Sequence, residues 1–128
     1  MNSFRTMLLA AAILTATTAA HAVPILATAP AYADPTQFFL RCDATNVSTT
    51  STLYVAVEAR DYSGKVVASN QGGDFWYPGV AAGIDVPSPK GEASCAFKVL
   101  KGNAKYLRAA AVYRPLGAKA DLVVVPAR

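Results

Sequence analysis

Residues 52–61 read TLYVAVEARD, and their alternation decides the fold class. Leu53, Val55, Val57 and Ala59 fall on one side of an extended chain, and Tyr54, Ala56, Glu58 and Arg60 on the other. A side-chain period of two belongs to a strand with one buried and one solvated face, whereas a helix would repeat its apolar residues every three or four positions. Tyr62-Ser63-Gly64 then reads as a tight turn into a second strand over 65–69.

The same period extends in both directions. Upstream, 37–43 places Phe38, Leu40 and Cys42 opposite Phe39, Arg41 and Asp43. Downstream, 74–77 is a short aromatic strand stopped by Pro78-Gly79, and 80–86 is an extended segment stopped by Pro87 and Pro89. Residues 93–100 turn Cys95, Phe97 and Val99 inward; after Gly102-Asn103 the chain returns over 105–113 with Leu107, Ala109, Ala111 and Tyr113 inward, so these two segments are expected to pair as a hairpin. A last strand over 122–125 precedes Pro126. The expected fold is all-β, a seven- to eight-stranded two-sheet sandwich with one disulfide, preceded by a helical signal segment.

That segment is legible at the start of the 128 residues. Arg5 gives a basic beginning, and 7–20 is an uncharged apolar run through Leu8, Leu9, Ile13 and Leu14. Two small-x-small sites follow, Ala20-His21-Ala22 and Ala31-Tyr32-Ala33. Cleavage is expected after Ala33, because a cut after Ala22, the alternative, would leave apolar 23–26 at the new end. The sequence thus divides into a 1–33 signal peptide and a single domain over 34–128. Pro24, Pro30 and several threonines make the segment a poor spanning helix. The domain is therefore expected to be exported, periplasmic or extracellular, with no stable membrane span after cleavage.

Cys42 and Cys95 both take inward strand positions, and export carries them to an oxidising compartment, so they are expected to be bonded. A redox role would call for a neighbouring cysteine at Cys-x-x-Cys spacing, and the sequence has none.

Taken together, Cys42 through Asn46, Val55-Ala56-Val57, Asp61-x-x-Gly64, Pro78-Gly79, Cys95-x-Phe97-x-Val99 and Arg108-Ala109 span most of the domain. In this layout the chain resembles small exported bacterial proteins with an immunoglobulin-like or fibronectin-III-like sandwich. The resemblance implies a fold and no function. Trp76 stands well after the first cysteine and no tyrosine lies two residues before Cys95, departures that bear on strand order.

Composition narrows the chemistry. The only histidine, His21, precedes both cleavage sites, and two distant cysteines cannot complete a Cys/His zinc site. Without histidine the domain lacks the commonest general base and any conventional serine triad. Its carboxylates are scattered over strand ends and turns, with no spaced acidic loop for calcium and no gathered pair for glycoside hydrolysis. No metal, cofactor or catalytic residue is expected.

Charge is uneven. Residues 34–89 carry three basic and six acidic side chains, and 90–128 carry eight basic and two acidic. Lys98, Lys101, Lys105, Arg108 and Arg114 should face outward on the second hairpin and form a basic strip for an anionic partner. The plainer reading is that these charges keep an edge soluble and block edge pairing. Nucleic acid is not expected as a partner, since the strip lacks interleaved stacking aromatics. Phe75, Trp76 and Tyr77 form the second candidate, an aromatic patch for a sugar or a partner pocket, although alternation sets Trp76 against the other two and its large apolar area favours burial. Asn46-Val47-Ser48 formally matches a glycosylation acceptor and equally suits a turn.

The function expected is that of a non-catalytic interaction or structural module of the cell envelope, its partner an envelope protein or an anionic polymer. The alternatives are a binding module for an anionic or carbohydrate polymer and a secreted inhibitor of another protein.

Overall fold

A computed structural model describes residues 22–32, 38–86, 91–115 and 123–128. Ten strands are present among them: β1 (Ile25–Ala27), β2 (Ala31–Tyr32), β3 (Phe38–Asn46), β4 (Leu53–Asp61), β5 (Val66–Ser69), β6 (Asp74–Trp76), β7 (Ala81–Val86), β8 (Glu92–Lys101), β9 (Leu107–Pro115) and β10 (Val123–Pro126). They form two antiparallel sheets. In the front sheet β8 and β4 are central; β1 and β2 follow one another along the outer edge of β8, as β5 and β6 do along β4. The back sheet has the order β10-β9-β3-β7. Because β1 with β2, and β5 with β6, share an edge, the strands occupy four places in each sheet, which agrees with the expected seven- to eight-stranded sandwich.

The alternation read from 52–61 holds except at Ala56, which is buried on the outward side. Leu53, Val55, Val57 and Ala59 are buried, and they meet Leu40, Cys42, Cys95, Phe97, Val99, Leu107, Ala111 and Tyr113 in one core between the sheets. Cys42 on β3 and Cys95 on β8 are bonded across this core, with a Cα separation of 5.6 Å. The bond ties the two sheets covalently. On the chain-entropy model, closing a loop of this length contributes roughly 4 kcal/mol, comparable with the whole stability of a small domain.

Two asparagines replace missing backbone partners. Asn46 is fully buried where the chain leaves the back sheet. Its Nδ2 donates to the carbonyls of Ser51 and Trp76, both at 2.8 Å, and its Oδ1 accepts from the Ser48 amide at 3.0 Å. With the amide so enclosed, the formal glycosylation match is a structural turn. Asn70 fills the gap between β5 and β6: its Oδ1 accepts from the Val57 amide at 2.9 Å and its Nδ2 donates to the Val55 carbonyl at 3.0 Å. The side-chain amide thereby continues a ladder that the backbone interrupts.

The expected second hairpin is not one. β8 lies in the front sheet and β9 in the back, so the connection crosses the core. Gly102 sits at φ +98° against Leu53, where a β-carbon would collide with that side chain. A 3-10 turn, Ala104–Tyr106, follows, and Asn103 Oδ1 caps it by accepting from the Lys105 amide at 3.0 Å. The turn redirects the chain so that β9 pairs with β3 instead of β8.

Within the 1–33 span read as a leader, Ile25–Ala27 and Ala31–Tyr32 form short strands. Both short strands there pair with β8. Residues 1–21 of the expected helical leader, Ala33, and Pro87 and Pro89 lie outside the described residues.

Candidate functional site

A groove of about 610 Å³ opens on the outer face of the back sheet. Register explains its shape. Three neighbouring strands place Gly83, Asp43 and Ala110 side by side, a row almost without side-chain bulk above the sheet. The adjoining row toward one end sets Asp85, Arg41 and Val112 together, and the row toward the other sets Ala81, Thr45 and Arg108. Arg114, opposite Phe39, completes the rim. Glycine is required at 83, beside the groove, because a β-carbon there would overlap Asp43 Oδ1 and the Cys42 carbonyl.

The groove's charges are organised. Arg41 Nε donates to Asp43 Oδ1 at 2.5 Å, and its Nη1 donates to Asp85 Oδ1 at 3.0 Å. The Asp43 hydrogen bond, opposed in part by desolvation and supported by Asp85, raises the guanidinium pKa and fixes its charge. Arg108 is oriented by backbone: Nη1 donates to the carbonyls of Lys105 at 2.7 Å and Leu107 at 3.1 Å. Its side chain is exposed, and no described hydrogen bond engages Nε or Nη2. Asp43, the one carboxylate lining the groove, is paired with Arg41, and the lining is otherwise of small side chains and three guanidiniums, an arrangement suited to a carboxylate or sulfate group, which a guanidinium fork binds through paired hydrogen bonds.

The predicted basic strip is divided by the fold. Only Arg108 and Arg114 share the groove, joined by Arg41, which the sequence reading left out because it belongs to a distant strand in the acidic half. Lys98 lies on the opposite, front face, where its Nζ donates to Glu58 Oε1 at 2.6 Å. Lys101 ends β8, and Lys105 sits in the crossing turn with its ammonium 4.8 Å from the Tyr106 ring centre. The strip is divided because β8 and β9 belong to different sheets; an amphipathic pattern gives the facing of each strand but not the sheet it joins.

The aromatic patch is divided in the same way, by alternation within one strand. Trp76 is 3% exposed in the core, while Phe75 and Tyr77 are 53% and 61% exposed. Phe75 pairs across strands with Tyr54 at 4.8 Å between ring centres, tilted by 47°. Gly73 lets the Tyr54 ring lie against the main chain, since a β-carbon there would stand 3.0 Å from two ring atoms.

Among the described residues no three His, Cys, Asp or Glu side chains gather as a metal-ion cluster, and no helix is long and apolar enough to cross a membrane. No protein-family model, curated protein or solved structure matches the chain.

Proposed function

We propose that the chain is an exported, non-catalytic interaction module of the cell envelope, and that the back-sheet groove is where it meets an anionic partner. The observation that carries this reading is the convergence of Arg41, Arg108 and Arg114, from two strands, around a floor of small residues. Export is supported by the Cys42–Cys95 disulfide, a bond that persists in oxidising compartments. The immunoglobulin-like or fibronectin-III-like character is supported as far as two packed antiparallel sheets joined by a disulfide.

The test is retention of oxidised protein on an immobilised polyuronate, against a neutral glucan, at low and moderate salt. Retention on the polyuronate alone, lost in Arg108→Glu and Arg114→Glu but kept in Lys98→Glu, supports the groove. Equal retention of all three variants overturns it. Retention on the neutral glucan points instead to the exposed Phe75 and Tyr77 and a carbohydrate partner. Co-purification of a single protein at stoichiometric ratio, insensitive to the arginine changes, favours a protein partner or an inhibitor role.

A further inference from the structure

We propose that the leader is removed between Ala22 and Val23, so that the mature protein keeps residues 23–32 as the edge of its front sheet. This rests on the export reading above and contradicts the placement of the cut after Ala33.

The argument begins with what 23–32 does in the fold. Along β8, Ile25, Leu26 and Ala27 stand opposite Lys98, Phe97 and Ala96, and Ala31 and Tyr32 opposite Ala93 and Glu92. Between the two short strands Thr28 takes over the ladder. Its amide donates to the Cys95 carbonyl at 3.0 Å, and its hydroxyl Oγ1 accepts from the Cys95 amide at 2.9 Å. The Pro24 carbonyl accepts from the Val99 amide at 3.0 Å. From the back sheet the buried Tyr113 hydroxyl reaches across the core to the carbonyls of Ala31 at 2.8 Å and Ala93 at 3.3 Å. Leu26 and Ala31 pack against the core cluster.

A cut after Ala33 removes all of this. The amide of the fully buried Cys95 would lose its acceptor, Tyr113 would lose its shorter hydrogen bond, and the β8 edge would stand open beside Phe97. Of apolar 23–26, Leu26 packs against the core, while Val23 and Ile25 stay exposed along the edge. The leader's own anatomy agrees. Ala20 and Ala22 place small residues directly behind the apolar run, the pattern a leader peptidase reads. Chemically, a leader peptidase adds water across the Ala22–Val23 bond, leaving a carboxylate on Ala22 and an amine on Val23.

The experiment is to express the full chain from its own leader in a bacterial host and determine the intact mass and N-terminal sequence of the exported, oxidised protein. A chain starting at Val23 is expected. A folded, disulfide-bonded chain starting at Asp34 overturns the proposal while leaving export intact; an unprocessed chain retained in the cytoplasm overturns both. Ala22→Tyr should accumulate precursor and Ala33→Tyr should not, and the opposite pattern overturns the assignment. Thr28→Val supplies a readout independent of sequencing. It should lower the melting temperature of the exported protein by several degrees, whereas a mature chain lacking residue 28 would show no change.

Discussion

The two outer faces of the sandwich hold opposite electrostatic arrangements. On the front face one carboxylate, Glu58, sits between two cations, Arg60 at 2.6 Å and Lys98 at 2.6 Å. On the back face one cation, Arg41, sits between two carboxylates, Asp43 and Asp85. The front face is filled beside its triad by the Tyr54–Phe75 pair, whereas the back face is hollow beside its own, over Gly83 and Ala110. Two triads of equal size thus leave different surfaces. Side-chain volume in the neighbouring row, more than charge, decides which face offers a recess.

The largest effect that probes this contrast lies beneath the front face. Trp76→Ala should cost about 3 to 5 kcal/mol in chemical denaturation, as a large aromatic cavity does, while Phe75→Ala, from the exposed side of the same strand, should cost far less. Blue-shifted, poorly quenched emission from the single tryptophan checks the burial directly. If Phe75 proved the costlier residue, the front face would have to be redrawn as core.

The next largest falls on the back face. Gly83→Ala should destabilise by about 1 to 3 kcal/mol through overpacking, because the added methyl meets both Asp43 and the Cys42 carbonyl. An Asp43→Ala background should recover only part of that loss, since the carbonyl stays in place. A neutral Gly83→Ala would mean that the sheet beside the groove is loosely packed and the groove's shape is not fixed by register.

The smallest effect distinguishes the triads by pH. The Lys98 hydrogen bond, opposed by desolvation and assisted by Arg60, holds the Glu58 carboxyl below its ordinary range. A lowered folded-state pKa contributes stability above the ordinary carboxylate range, and that contribution is lost as pH falls through the lowered value. Glu58→Gln should therefore be less stable than the parent at neutral pH by about 1 kcal/mol or less, and the difference should close in acid. An unchanged gap at low pH would show that Glu58 contributes through packing alone.

How much of this the sequence revealed depends on range. Strand positions and facing were legible because alternation is local: Cys42 and Cys95 could be matched from parity and compartment, and Trp76 could be set apart from Phe75 and Tyr77. Sheet membership was not legible. Gly102-Asn103 has the composition of a hairpin turn, and only its seating on Leu53 and the 3-10 turn beyond it send β9 to the other sheet. The groove was missed for the same reason, since Arg41 meets Arg108 and Arg114 only once that crossing is known. Asn46 and Asn70 look like ordinary turn residues; their hydrogen bonds reach carbonyls of other segments. The pairing of 25–27 and 31–32 with β8 is equally non-local, and short apolar strands and leader sequence share a composition.

Ala27 and Arg128 exchange backbone hydrogen bonds in both directions, at 3.1 and 3.2 Å, so the start of the front sheet and the end of the back sheet meet along one seam. The segment 23–128 is therefore nearly a closed ring. From residue 128 to residue 23 the distance is roughly four residues of strand, about 13 Å, which a short glycine-serine linker spans. New ends then belong at the exposed turn of Tyr62, Ser63 and Gly64. In such a circularly permuted chain β1 would follow β10 directly, and a closure between segments far apart in sequence would become a contact between neighbours, lowering contact order at that seam.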